Sequence, residues 1–594
     1  MRCPPVNPSA PLFVLRDEAS RRWLRFHRPV EVVAATRLEE VLPGLRNIEQ
    51  AVGERNLHAA GWVSYEAAPA FDPALAVRDS GDFPLLCFGL YADPEPIDLP
   101  PPADNLPEGW HPDLLPDAYA RAFDRIQAHI RAGDTYQVNF SHRMLREDFA
   151  LDPWQAFLAL VAAQRAPFGA YAAAGPFRLC SASPELFFRL DGARIESRPM
   201  KGTAPRGLSA APDRALAAAL LASEKNRAEN LMIVDMVRND LGRVARPGSV
   251  QTANLCGLEK FPTLWQLTSA VAAETEASLV DIFSALFPPA SITGAPKPRT
   301  MRIIADLESS PRRIYTGAIG FLAPGRRAQF NVAIRTLLLD VRTRRAEYGV
   351  GGGLVWDSQR EAEQAECRVK ARILSLPPRP SFSLLETMLW TPEDGVRLLE
   401  LHLARMRDSA DYFDRPFDET RLRAEIDRQI RGFPSAPQRM RLLLAEDGTP
   451  ALQAAPLAPL ASAPFLRVAL ARRPVDPDDV FLYHKTTNRR VYEDAQAEVP
   501  GFDDVILFNG RGELTESTRA NLVVDINGVL ATPPVECGLL PGTARAELLA
   551  RGVLHERPVP LSLLQTRPRL FLLSSVRGLL PATLPPAPGT DTVL

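Results

Sequence analysis

Apolar and polar positions follow two different rhythms along this chain. Short β-branched or aromatic runs bounded by Gly or Pro, near 12–35, 60–66, 85–91, 170–190, 315–322, 328–341 and 346–355, read as strands. Apolar residues recurring at three- and four-residue spacing near 117–132, 153–164, 212–241, 279–287, 298–307 and 358–375 read as helices. Strands outnumber a simple βαβ alternation, so the order predicts an α+β fold with large, mainly antiparallel sheets and helices packed outside. Proline-rich clusters punctuate the pattern at 93–109 and 376–381. The second cluster ends a strongly helical stretch and precedes a fresh set of segments, which places the main boundary near 377 and gives domains 1–376 and 377–594. No repeat of about 20–50 residues is present. The Pro/Ala-rich tail after about 581 is expected to be loosely ordered.

A chain of 594 residues has room for roughly two to four folding units. Its longest apolar runs, such as 215–222, are too short to cross a bilayer, so no membrane span is expected. The start MRCPPVNPSAPLF lacks the basic and apolar stretches of a secretory signal, and a cytoplasmic location is the expectation. With 69 Lys+Arg against 71 Asp+Glu, no basic surplus exists to neutralise a nucleic-acid backbone. The six cysteines (Cys3, Cys87, Cys180, Cys256, Cys367, Cys537) are scattered singly and read as reduced, mostly buried thiols. Lysine is the informative residue, because only six (Lys201, Lys225, Lys260, Lys297, Lys370, Lys485) stand among 63 arginines. Where charge alone is wanted this chain uses Arg, so a surviving Lys is a candidate for giving up its proton and attacking carbon. Lys225 and Lys260 are assigned instead to accidental surface positions.

Four clusters carry chemistry in the first domain: YQVN at 136–139, SRPMKGTAPR at 197–206, SEKNRAENLMIVDMVRNDLGRV at 223–244, and the series from SITGAPK at 291–297 through IRT at 334–336 to GVGGGLVWDSQREAEQAECRVKA at 349–371. Glu363, Glu366 and Lys370 share one helix face. Glu229 lies among the apolar residues Leu231, Ile233, Val234 and Val237, where a carboxylate is costly without a positive partner. Oxygen ligands from two helices without His or Cys suit a hard cation such as Mg2+. Spacing alone equally allows ordinary solvated acids paired with arginines. The glycine run Gly349, Gly351, Gly352 and Gly353 reads as a turn leading into the acidic helix and offering N–H groups to an anion. With Arg335, Lys297 and Lys370 as cations, and Lys201 projecting from its loop, the pocket suits a small dianion.

These motifs together resemble the chorismate-utilising enzymes over most of 115–375, and the Lys of PMKGT is similar to the aminodeoxychorismate synthase component I branch. The resemblance implies that ammonia is the nucleophile and the product para-substituted, since Gln137 and Lys201 stand where other branches typically carry Lys and Ala. It implies Mg2+ on Glu229, Glu363 and Glu366 for the ring carboxylate, with Gly351, Gly352 and Gly353 also contacting it, and Arg335 on the enolpyruvyl carboxylate. Ser291 would contact the leaving oxygen. A neutral Lys201, its proton affinity lowered by the metal and by Lys297 or Lys370, would add at C2 and expel the C4 hydroxyl. Ammonia would then attack C4 and release the lysine. One departure is Gln266 in TLWQLTS, where relatives often have His, because Gln cannot serve as a general acid. No cysteine has a glutaminase setting, so a separate glutamine amidotransferase subunit is the expected partner beside chorismate and ammonia. The segment at 61–75 resembles a region where relatives can bind tryptophan, and a structural role is expected for it here.

The second domain contains HLARM at 402–406, FLYHKTTNRRVYEDA at 481–495, GELTESTRANLVV at 512–524, GLLPGTAR at 538–545 and LLSSVRG at 572–578. Lys485, its only lysine, is a candidate Schiff-base residue. Thr543 opens a helix able to hold a phosphate, Arg405 can pair with that phosphate, and Glu516 can face a pyridinium nitrogen. The set resembles the fold-type IV pyridoxal-phosphate enzymes over about 381–580, implying a two-subdomain α/β domain with Lys485, Arg405, Glu516, Thr543 and Ser575 on the cofactor, and a homodimer through this domain. The HKTTNR pattern resembles the aminodeoxychorismate lyases. The expected activity is therefore conversion of chorismate and ammonia to 4-aminobenzoate and pyruvate, for folate supply. The competing readings are a transaminase in the second domain, an anthranilate synthase in the first, and a regulator with decayed sites.

Overall fold

The computed structural model describes residues 10–375, 380–459 and 465–585; the boundary expected near 377, and Cys3, lie outside them. The chain divides into two compact units, Met1–Arg206 with Leu216–Arg379, and Gly207–Ala215 with Pro380–Leu594.

The first unit is built on two ten-stranded sheets in which every pairing is antiparallel. Alternate residues of the same strand enter different cores. Phe13 and Leu15 of Leu12–Asp17 join Trp62, Tyr91, Phe321 and Leu338 between the sheets, whereas Leu12 and Val14 pack outward with Phe157 and Leu160 of the helix Pro153–Gln164. On the far side, Leu86, Phe88 and Leu90 meet the helices Leu38–Glu54, Glu224–Gly242 and Leu279–Leu286. A helix layer on each outer face leaves both faces of the sheets dry, so the strands read as continuous apolar runs rather than as clean alternation.

Three expectations change. The periodic stretch 212–241 is two helices, Ala210–Ala222 and Glu224–Gly242, because Ser223 turns the chain and its hydroxyl accepts the Asn226 N–H as an N-cap. The stretch 358–375 is helical only over Arg360–Ala371, followed by a short 3-10 turn. The strands Gln137–Arg146, Gln251–Lys260 and Leu264–Glu274 and the helix Leu38–Glu54 were not anticipated; the helix contains Pro43, and the first strand buries the polar Gln137, Asn139, Ser141 and Arg143.

The second unit pairs a four-stranded antiparallel sheet, Gly395–Val396, Leu384–Thr391, Gln438–Leu444 and Pro450–Pro456, with the helices Leu399–Tyr412 and Glu419–Ile430. Its eight-stranded sheet mixes parallel and antiparallel pairs and closes on itself, because Leu514–Ser517 also pairs with Asn521–Ile526. The strand Gly578–Thr583 runs through the start of the tail expected to be loose, and 586–594 lie outside the described residues. The protein is thus α+β, with two subdomains in its second unit. Among the described residues no helix is long and apolar enough to cross a membrane. Cys87, Cys180, Cys256, Cys367 and Cys537 are free thiols, all buried except the half-buried Cys256.

Candidate active sites

A cavity of about 150 Å3 in the first unit gathers Lys201, Glu229, Gln266, Ser291, Arg335, Gly351, Gly353, Glu363, Glu366 and Lys370 in one wall. Lys201 reaches it from Met200–Pro205, which pairs with Leu264–Glu274 and loses register between Met200 and Thr203. Such an irregularity re-aims a side chain, and Gly202 takes the left-handed φ of +88° that it requires. Gln266 fastens this kink: its Nε2 donates to the Gly202 carbonyl at 2.9 Å, and its Oε1 accepts from the Thr203 hydroxyl at 3.2 Å. Gln266 therefore orients the Lys201 segment.

The glycine run does not form a turn. It lies inside the strand Arg345–Leu354, where Gly351 and Gly353 pair with Ser141 and Asn139. Its use is clearance: a Cβ on Gly353 would stand 2.3 Å from Lys201 Nζ, and one on Gly349 would stand 2.2 Å from the Tyr315 ring. Gly352 is not on the cavity wall; a Cβ there would approach Glu363 Oε2 at 3.3 Å.

Charge is unevenly settled in this cavity. Lys370 donates to Glu366 at 2.7 Å and to the Gly351 carbonyl at 2.8 Å. Burial works against its ammonium, yet the Glu366 carboxylate holds its pKa above the usual lysine value. Glu366 is correspondingly lowered by Lys370, whereas burial raises Glu363, which accepts from Ser358 at 2.6 Å. The Arg335 guanidinium is buried, and its Nη1 has no hydrogen-bond partner among the described residues; both amide atoms of Gln137, beside Gly353, are also buried and unpartnered. Buried polar groups without protein partners in a cavity wall are available to a polar ligand or to water.

Two lysines sit elsewhere than expected. Lys297 is outside this cavity, because Asp240 captures its ammonium at 3.1 Å. Lys225, assigned to an accidental surface position, lines the cavity 3.9 Å from Glu229. Glu229 itself is half-buried on the cavity side while Ile233, Val234 and Val237 of its helix enter the core and Leu231 is exposed. Glu185 was missed altogether. It is 4% exposed, accepts from the Ser291 hydroxyl at 2.7 Å, and burial pushes its carboxyl up to about 7. Its only sequence signal was a carboxylate between two apolar strands. In the segment at 61–75, Tyr65 and Glu66 are buried.

Glu229, Glu363 and Glu366 fit Mg2+ in kind, being oxygen donors from two helices on one wall. Among the described residues no three such groups converge into a ready-made metal cluster. A hard, water-retaining cation needs only one or two carboxylates beside a ligand.

In the second unit Lys485 lies in the loop between the turn Val480–Leu482 and the helix Arg490–Glu498, where its carbonyl accepts from Leu385 N–H at 2.9 Å. Burial first, then the charge of Arg405, lowers its ammonium to about 8. Glu516 is buried and pushed up to about 7; it accepts from the Tyr492 hydroxyl at 2.8 Å, the Asn521 amide at 3.2 Å and the Leu540 N–H at 3.1 Å. Arg405 does not stand free: Glu386 accepts two of its hydrogen bonds at 2.6 and 2.9 Å, and a third goes to the Pro541 carbonyl. His402 bridges Glu386 and Thr543, the first residue of the helix Thr543–Ala550. Ser575 donates to the Thr387 carbonyl at 3.1 Å. Tyr492, Glu386 and His402 escaped the sequence reading. A buried, easily neutralised amine, a buried carboxyl and a helix start beside an arginine fit pyridoxal phosphate in kind.

The family description "chorismate binding enzyme" matches residues 94–375, and "amino-transferase class IV" matches residues 383–584. An aminodeoxychorismate synthase of Streptomyces griseus is 43% identical over 282 residues, 47% of this chain and 38% of that protein. An aminodeoxychorismate synthase component 1 of Salmonella typhimurium is 42% identical over 265 residues, 44% of this chain and 58% of that protein. The chain thus spans between about two fifths and three fifths of these curated relatives. The structure of anthranilate synthase component I from Streptococcus pneumoniae shares the fold, with a TM-score of 0.52 and 23% identity over 63% of this chain and 94% of that one.

Proposed function

We propose, from the match of residues 94–375 to the chorismate binding enzymes and of residues 383–584 to the class IV aminotransferases, that the chain makes 4-aminobenzoate from chorismate and ammonia in two steps. The observation that carries the first step is the unpartnered Nη1 of buried Arg335 in the cavity that Lys201 enters. An organic anion satisfies that guanidinium, and Lys201 is then the nucleophile within reach. Mg2+, held by Glu229, Glu363 and Glu366, supplies when bound the positive charge that accepts the ring carboxylate. Arg335 holds the enolpyruvyl carboxylate. Lys201 Nζ adds at C2; Glu185, a neutral acid below about pH 7, gives its proton through the Ser291 hydroxyl to the departing C4 hydroxyl. Ammonia attacks C4 and Lys201 leaves as the free amine. Gln266, unable to donate a proton as an acid, keeps the Lys201 kink in place.

In the second unit pyridoxal phosphate supplies when bound an electron sink for the amino compound. Arg405 and Thr543 hold its phosphate, Ser575 adds a contact at the same site, and Glu516, steadied by Tyr492, stands at the ring nitrogen. Lys485 Nζ, whose buried amine is readily neutral, takes the C4 proton; pyruvate leaves and the ring becomes aromatic. A separate glutamine amidotransferase supplies ammonia, free ammonium being a poorer source, and the class IV unit joins a second copy as a homodimer.

The test is to give purified protein chorismate, Mg2+, ammonium and pyridoxal phosphate and to identify the benzoate formed. 4-Aminobenzoate with stoichiometric pyruvate is expected, without any 2-oxo acid acceptor. An ortho product makes the first unit an anthranilate synthase, and a need for an acceptor makes the second a transaminase. Borohydride trapping followed by mass spectrometry is expected to find Lys201 modified by chorismate and Lys485 by the cofactor.

A further inference from the structure

In the second unit, segments far apart in sequence are tied together around one carboxylate. Glu386, on the strand Leu384–Thr391, is 1% exposed, and its two oxygens accept from Arg405 Nε at 2.9 Å, Arg405 Nη2 at 2.6 Å and His402 Nδ1 at 2.6 Å. Burial works against its charge, yet Arg405 and then His402 hold its carboxyl down at about 2, so it is an acceptor throughout the neutral range. Arg405 and His402 stand three residues apart on one face of the helix Leu399–Tyr412. Each crosses from there to the segment that opens the helix Thr543–Ala550: Arg405 Nη1 donates to the Pro541 carbonyl at 3.0 Å, and His402 Nε2 is paired with the Thr543 hydroxyl at 3.3 Å. The same segment is held from its other side at Leu540, whose N–H donates to Glu516 at 3.1 Å and whose carbonyl accepts from Asn521 at 2.8 Å.

We propose that Glu386 and His402 are positioning residues for the cofactor phosphate, fixing the Arg405 guanidinium against the start of the Thr543 helix so that both grip one phosphate group. The inference rests on the reading of this unit as a pyridoxal-phosphate enzyme. A guanidinium has five N–H donors, and the three hydrogen bonds of Arg405 leave two of them for an anion. The N–H groups of Thr543, Ala544 and Arg545 precede the first intrahelical bond, from Ala546 to the Gly542 carbonyl at 2.9 Å, and a helix start of this kind favours a phosphate. Glu386 acts on that site in two opposed ways. As a bare charge it repels a phosphate; as a support it aims the cation that binds one. Its pairing with Arg405 is bidentate, Nε to one oxygen and Nη2 to the other, a geometry that orients as well as neutralises. An unsupported arginine samples many rotamers and must be ordered when the ligand arrives, whereas Arg405 is ordered beforehand. Orientation is therefore the larger effect, and losing Glu386 weakens the grip on phosphate. His402 does the same for Thr543, since its imidazole spans from Glu386 to the hydroxyl at the helix start.

The experiment titrates the full chain, freed of cofactor, in parallel with pyridoxal phosphate and with pyridoxal, which has the same ring and aldehyde but no phosphate. Occupancy of Lys485 is counted by mass spectrometry after borohydride fixation. Glu386→Gln keeps the side-chain shape but loses the charge and one acceptor. It is expected to raise the dissociation constant for pyridoxal phosphate by roughly tenfold or more and to leave that for pyridoxal unchanged. His402→Phe keeps the Glu386–Arg405 pair and serves if the Gln variant does not fold; a loss of roughly threefold or more, again confined to pyridoxal phosphate, is expected. Equal losses for both ligands, which a merely structural role would produce, overturn the proposal. So does an affinity for pyridoxal phosphate that is unchanged or tighter. If Lys485 of the unsubstituted protein is modified by neither ligand, the pyridoxal-phosphate reading of the unit fails instead, so the two failures are distinguishable.

Discussion

Glu185 combines three properties that few carboxylates share: it is buried, it accepts from the Ser291 hydroxyl in the wall of the same cavity, and its carboxyl is raised from 4.5 to about 7. A donor must be protonated, so amination is expected to fall as pH rises through about 7. Glu185→Gln keeps the Ser291 hydrogen bond but loses the proton, so the rate is expected to drop by about 10^2–10^4 and that pH limb to vanish. Stability follows pH in the same direction. A folded pKa above the unfolded value gives stability that is complete below about 4.5 and is lost as pH rises through about 7. At pH 8 the Gln variant is thus expected to melt above the parent in a thermal scan. A variant that melts lower there, or that retains the parent's pH profile, argues against a buried neutral donor.

At the scale of one strand, Arg345–Leu354 shows how the same residue type serves two ends. An alanine Cβ at Gly353 meets the free end of Lys201, which can swing aside, so Gly353→Ala should fold and lose about a hundredfold or more in rate through misplaced Nζ. A Cβ at Gly349 meets the buried Tyr315 ring, which cannot, so Gly349→Ala should lose about 1–3 kcal/mol of stability in denaturant titration. Equal stability losses at both positions would contradict this division. The strand itself was legible, being read over 346–355, but the clearance its glycines give to Lys201 and Tyr315 was not, because those neighbours come from distant parts of the chain. Glu363, Glu366 and Lys370 were placed correctly on one face because helical spacing is local information. Lys297 and Lys225 were not, since the capture of one by Asp240 and the position of the other in the cavity wall depend on contacts across the fold. Glu185 was unreadable for the same reason, its neighbour Ser291 being 106 residues away.

On the proposed function the two chemistries are self-contained, since each unit has its own hydrophobic cores and its own candidate lysine, Lys201 in the first and Lys485 in the second. Lys201→Ala removes the first nucleophile yet leaves Lys485 with its neighbours Arg405, Glu386 and Glu516 intact. Lys485→Ala does the converse. With chorismate, Mg2+, ammonium and pyridoxal phosphate, neither variant alone is expected to release 4-aminobenzoate, and Lys485→Ala should accumulate 4-amino-4-deoxychorismate. A mixture of the two proteins is expected to restore 4-aminobenzoate after a lag, because a small, charged, water-soluble intermediate formed in one unit can reach the other through solution. The lag should shorten as protein concentration rises, as a second step limited by its own supply requires. If the mixture stays silent while Lys201→Ala still converts added 4-amino-4-deoxychorismate, the two steps are not independent, and the intermediate must be handed on within one molecule.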